Sequence, residues 1–159
     1  MRLRYVDADP RTFVTPLLAV GVTEGADPSA GLLAELDATL TGAVRRAFAC
    51  GDMKGKSGDE IVLYAGADGP ARVVLLGMGK AAKVDAEGVR RMAGRAVRTA
   101  ERLRLDDLAI ALDSVGGITP EAVAQAAAEG VGLAAWRFSE LKADDPDDPT
   151  ITVLNLKSV

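Results

Sequence analysis

The chain has 159 residues, 48% of them hydrophobic and 26% charged, with a net charge of -4. That is the size and balance of one globular domain able to bury a core without a metal or disulfide staple, and its acidic sum opposes a general electrostatic grip on nucleic acid. Histidine is absent and Cys50 is the single cysteine, which excludes Ser-His and Cys-His nucleophile pairs, imidazole metal ligands and an internal disulfide.

In chain order, Met1 to Val6 reads as a short strand with Leu3 and Tyr5 on one face. Its Arg2 and Arg4 are not followed by an apolar stretch long enough for a secretion signal, and no run approaches the roughly 20 apolar residues of a membrane span. With one cysteine and no histidine, a reducing, cytoplasmic location is expected. Pro16 to Val22 is a second, mostly apolar strand. Asp27 and Pro28 look like the N-cap and first position of a helix. Leu32, Leu33, Leu36, Leu40, Val44, Ala47 and Phe48 then follow at helical spacing as one amphipathic helix, stopped at Gly51.

Asp52 to Asp59 is polar and glycine-rich, hence a loop. Ile61 to Ala65 and Arg72 to Leu76 read as strands buried on both faces, with Gly77, Met78 and Gly79 as a turn after the second. The next helix begins near Asp85 and carries an apolar stripe of Val89, Met92, Ala93, Ala96, Val97, Ala100 and Leu103, with Arg90, Arg91, Arg95, Arg98 and Arg102 outside it. Leu108 to Leu112 is a buried strand and Ser114 to Ile118 a loop. Thr119 caps an alanine-rich helix from Pro120 to about Phe138. An acidic loop, Ala143 to Pro149, leads to a last strand, Ile151 to Leu154. Strands and helices alternating over short links predict an α/β fold, a three-layer α/β/α domain around a central mixed sheet, occupying residues 1–159 as a single unit.

Most motifs that look chemical have a plainer reading. Gly55-Lys56-Ser57 resembles the end of a phosphate loop, but Cys50 stands where its first glycine belongs, and it joins a helix to a strand rather than a strand to a helix. Gly77-Met78-Gly79-Lys80-Ala81-Ala82 fits a dinucleotide pattern after a buried strand, so Gly77, Gly79 and Lys80 are the candidate ligand-binding residues of this chain. Against that, the helix starts too late to aim its N-terminus at a phosphate. Asp144, Asp145, Asp147 and Asp148 are interrupted by Pro146 and Pro149 and lack a calcium-hand spacing. The arginines read as a solvated helix face, with Asp106 and Asp107 close by in sequence. Trp136 and Phe138 read as core packing.

Three segments, taken together and in order, resemble the N-terminal domain of the leucyl aminopeptidase (cytosol aminopeptidase) family. They are Ala43 to Gly58 with its Gly51-Asp52-Met53-Lys54-Gly55-Lys56-Ser57-Gly58 turn, Arg72 to Lys80 with its Gly77-Met78-Gly79-Lys80 ending, and Glu129 to Lys142 with Glu129-Gly130 and Arg137-Phe138. Trp136 stands where the family has Tyr, and Leu141 where it has an aromatic residue.

The resemblance implies a macro-domain-like fold and an accessory role beside a C-terminal catalytic domain that this chain lacks. It also implies a parent metallo-exopeptidase with two divalent metals (Zn or Mn) held by Asp, Glu and Lys, assembled as a homo-hexamer. Asp85-Ala86-Glu87-Gly88 echoes the family's metal-site signature, but Lys83 and Val84 precede it and Val89 follows it, so no catalytic or metal-binding residue carries over and no cofactor is expected here. Two rivals remain at this point: a free-standing module binding ADP-ribose or a nucleotide near Gly77 and Gly79, and a nucleic-acid-binding domain using the arginine helix, which the acidic charge opposes.

Overall fold

Uninterrupted Val, Leu, Ile and Ala runs belong in strands covered on both faces, and the computed structural model places them so. It describes residues 2–66, 68–112, 117–135 and 150–155. The elements are β1 (Arg2–Asp7), β2 (Leu18–Glu24), α1 (Gly31–Thr39), α2 (Ala43–Cys50), β3 (Glu60–Tyr64), β4 (Arg72–Lys80), α3 (Ala86–Arg102), β5 (Asp107–Leu112), α4 (Pro120–Ala135) and β6 (Thr150–Asn155). A single 3-10 turn, Ala81–Lys83, links β4 to α3.

The sheet order is β1-β6-β5-β2-β4-β3. Only β3 is antiparallel to its neighbour, β4, while the other pairs are parallel. Leu17, Ala19, Val74, Leu76, Leu108 and Ile110 pack under α3 and α4. Leu18, Val20, Val22, Val73, Leu75 and Ala109 pack under α1 and α2. The expected three-layer α/β/α architecture with a mixed sheet is thus present, with β2, β4 and β5 as its buried centre.

Four local expectations differ from the structure, each for a physical reason. The first helix does not start at Pro28. Asp27 closes a turn instead, accepting from the Ser29 amide at 2.8 Å, and α1 begins at Gly31 behind Ala30, which offers no side-chain cap. Nor is the helical stretch continuous. Thr41 and Gly42 take left-handed φ values of 52° and 82° and divide it into α1 and α2. The strand at Ile61 is not buried on both faces, because β3 is a sheet edge and only half-covered. Finally, Gly77 to Gly79 is not a turn; β4 runs through it to Lys80. The expected end of α4 at Phe138, the packing of Trp136, the acidic loop at Ala143 to Pro149 and part of the Ser114 to Ile118 loop lie outside the described residues.

The division between α1 and α2 is held by Asp37. Its side chain is 4% exposed and its Oδ1 accepts from the Arg45 amide at 2.9 Å, while Oδ2 pairs with the Arg45 guanidinium at 2.5 Å. Burial pushes its carboxyl up, but the Arg45 amide and guanidinium and the Val44 amide outweigh burial and hold it below the ordinary value. Arg45 is largely exposed, so most of the stabilisation comes from capping the first amides of α2 rather than from the ion pair.

Asp37→Asn is therefore expected to destabilise the domain by about 1–2 kcal/mol near neutral pH. A carboxyl with a depressed folded-state value stabilises fully above its unfolded value and ceases to do so as the pH falls through the lower folded one. The gap between wild type and variant in thermal unfolding should accordingly close as the pH is taken from 6 towards about 2, and a gap that does not narrow would show that ionisation of Asp37 is irrelevant.

Candidate functional site

The two glycine motifs meet in space, and each explains the other. The loop between α2 and β3 folds over the end of β4. Asp59 Oδ2 accepts from the amides of Lys54 and Lys56, both at 3.0 Å. The Gly77 amide donates to the Asp59 carbonyl at 2.9 Å and the Gly79 amide to the Gly55 carbonyl at 2.8 Å. From α3, Arg95 donates to the carbonyls of Gly77, Gly58 and Asp59 at 2.9, 3.1 and 2.7 Å.

The loop lies so close that a Cβ on Gly77 would sit 1.9 Å from the Lys56 carbonyl oxygen, so glycine is required there by contact alone. Gly77 and Gly79 thus direct their amides into this seam, where a phosphate would have to displace a carbonyl. Lys80 is exposed at the last position of β4.

Met78 is the extra residue of a bulge. Val22 pairs with Gly77 and Thr23 with Gly79, so Met78 has no partner on β2. Its half-buried side chain lies over Gly21, where a Cβ would approach the Met78 sulfur to 2.5 Å.

Beside it, at the carboxyl ends of β2, β4 and β5, opens a cleft of about 370 Å³. Such crevices are where ligands bind in open α/β sheets. Its walls include Val20 and Val22 of β2, Leu33 of α1, Met92 of α3, Ala111 of β5 and Val123 of α4, and Thr23 and Asp27 supply the polar side chains. Gly77, Gly79 and Lys80 are not among its walls. The cleft is not legible in the sequence, because Val20, Val22 and Ala111 have the residue types of ordinary core. The only local signal was the glycine-methionine-glycine bulge.

The remaining motifs resolve into structural contacts. Asp85 caps α3, its Oδ1 accepting from the Gly88 amide at 2.8 Å, and Glu87 pairs with Arg90 and Arg91 at 3.5 and 3.6 Å. Those carboxylates are turned to the helix and its arginines, so they do not fit a divalent metal. Among the described residues no three His, Cys, Asp or Glu side chains are grouped to hold one.

Arg90 also pairs with Glu129 of α4 at 2.6 Å. Glu60 receives Arg102 and the Thr99 hydroxyl, and Arg95 lies 3.7 Å away. Burial raises the Glu60 carboxyl, but the Arg102 and Thr99 bonds prevail and hold it below the ordinary value. The arginine face of α3 is thereby largely neutralised by acidic partners. At the opposite end of the sheet Asp107, whose Oδ1 has no hydrogen-bond partner among the described residues, is raised by burial, with the Arg4 charge pulling the other way.

Comparison with known proteins follows the same lines. Residues 19–145 match the sequence profile of the cytosol aminopeptidase family, N-terminal domain. A probable cytosol aminopeptidase of Rippkaea orientalis (strain PCC 8801 / RF-1) is 34% identical over 160 residues, covering 100% of this chain and 32% of the relative. The chain spans about a third of the length of the curated relatives it matches.

Among solved structures, a tomato leucine aminopeptidase superposes with a TM-score of 0.77 at 24% identity, covering 100% of this chain and 33% of that one. The macrodomain of Mycobacterium tuberculosis DarG superposes with a TM-score of 0.68 at 19% identity, covering 98% of each chain. These two likenesses carry the fold, which is macro-domain-like as the resemblance implied. No helix among the described residues is long and apolar enough to cross a membrane. On the profile match and the sequence identity, the chain belongs to the cytosol aminopeptidase family, where it corresponds to the N-terminal domain.

Proposed function

We propose that this chain is the accessory, non-catalytic domain of a cytoplasmic, metal-dependent leucyl aminopeptidase. By this reading a C-terminal domain with two divalent metals, zinc or manganese, removes N-terminal residues from peptides. The present domain packs beside it and supports a homo-hexamer that controls substrate access. The observation carrying the reading is the match of residues 19–145 to the family's N-terminal domain, in a chain that covers only about a third of each relative. The contacts of Asp85 and Glu87 within α3 and to its arginines support the view that the carboxylates of this chain serve its own fold.

The test is hydrolysis of leucine p-nitroanilide with added manganese. The pure 159-residue chain is expected to turn over nothing, whereas a polypeptide continuing into a catalytic domain is expected to be active. Turnover by the isolated chain would overturn the reading. An antibody against the chain supplies the companion measurement in cells. A band much heavier than 16.5 kDa agrees with an accessory domain, and a band at that mass puts a free-standing ligand-binding module in its place.

A further inference from the structure

The cleft at the carboxyl ends of β2, β4 and β5 has no part in the proposed accessory role, and its chemistry is narrow. At about 370 Å³ it falls within the range of small-molecule sites. Among the described residues its side-chain walls are aliphatic or thioether, with Thr23 and Asp27 as the polar exceptions, and neither a lysine, an arginine nor an aromatic ring lines it. Along these described walls a purine finds no ring to stack on, and a pyrophosphate no cationic side chain to pair with. Among the described residues the one formal charge at the cleft is negative. Asp27 Oδ1 accepts from the Ser29 amide at 2.8 Å, and no bond to its Oδ2 is made among the described residues.

Two methionines give the walls room to adapt. Met78 stands on the bulge over Gly21, and Met92 faces it from α3. Unbranched thioethers fill and vacate space at little cost, so a branched alkyl group could enter between Val20, Val22 and Leu33 as Met78 shifts.

From this we infer that the cleft is a binding site for a small branched aliphatic ammonium compound, its alkyl part between the valines and Met92 and its ammonium at Asp27. The start of α1, at Ala30 and Gly31, lines the same mouth, and its dipole favours the opposite charge. The sign of the head group is therefore the decisive question.

The experiment is an amide-resonance titration of the 159-residue chain with isoamylamine, isoamyl alcohol, isovalerate and ADP-ribose at millimolar concentration. The amine is expected to shift Val20, Val22, Leu33 and Ala111, and to bind a few-fold more tightly than the isosteric alcohol, a margin that shrinks with added salt because the ion pair is exposed. Asp27→Asn should bring amine and alcohol level. Ala30→Trp, at an exposed position on the mouth, should abolish both; if that variant does not fold, the Asp27→Asn comparison decides alone. Tighter binding of isovalerate or ADP-ribose, shifts confined to residues outside the cleft, or no shifts at all would each overturn the assignment. The titration reads this chain directly, so it stands or falls separately from the aminopeptidase reading.

Discussion

Replacing Gly77 by alanine is expected to destabilise the domain by about 3 kcal/mol, although it adds a single methyl group. The added carbon would stand 1.9 Å from the Lys56 carbonyl oxygen and 3.0 Å from the Asp59 Cβ. The first is a backbone atom, which cannot turn aside as a side chain does, so either the loop lifts or β4 shifts. Lifting the loop breaks the Gly77 and Gly79 bonds to Asp59 and Gly55 together with the three carbonyl bonds from Arg95. Urea denaturation measures the loss, and hydrogen exchange should show the amides of Lys54 and Lys56 losing protection first. Gly66, where a Cβ meets nothing within 4 Å, is the control, and its alanine variant should be neutral or slightly more stable. Equal effects at the two positions would mean that the seam contributes nothing beyond ordinary glycine flexibility.

The second large effect is expected at Gly130, where α4 rests on α3. An alanine Cβ there would meet the Arg90 carbonyl oxygen at 2.2 Å and its Cα at 2.8 Å. Alanine in a helix is favoured over glycine by about 1 kcal/mol, so propensity and packing oppose each other. A backbone-to-backbone clash in a buried contact costs more, and we expect a net loss of about 2–3 kcal/mol. Gly132, two residues along the same helix, has open space at its Cβ, and its alanine variant should gain roughly 0.5–1 kcal/mol. Opposite signs from two glycines in one helix, read as shifts in the thermal midpoint, would identify the α3–α4 contact as the cause. Stabilisation by both would refute it.

These positions also mark how far the sequence could be read. The buried runs at Val73 to Leu76 and Leu108 to Leu112 announced central strands because strands covered on both faces lose their polar alternation. The start of α3 was visible because Asp85 carries its own capping signal. What stayed hidden depends on partners distant in sequence. Asp37 looks like a polar residue on a continuous helix until its bond to the Arg45 amide shows that the chain has turned there. Gly77-Met78-Gly79 looks like a turn, because nothing local says that a loop more than twenty residues earlier will press on the first glycine and that β2 will leave the methionine unpaired. Of the candidate site, Gly77, Gly79 and Lys80 were legible as a glycine motif, but the two glycines belong to the seam and Lys80 is exposed at the end of β4. The cleft draws its walls from six strands and helices, and apart from Thr23 and Asp27 their side chains do not differ in type from ordinary core.

The pairing of β1 with β6 has a consequence for the order of events in folding. Arg2 lies opposite Thr150, and Asp7 opposite Asn155, so the first strand waits for the last before it has a neighbour in the sheet. A chain emerging from the ribosome can assemble β2 to β5 with their helices early, while β1 stays bare, since loop closure over nearly the whole length is costly and slow. The pairing with the widest separation in sequence is therefore left to one late step, and a chain shortened before Thr150 would expose an unpaired strand edge to its neighbours.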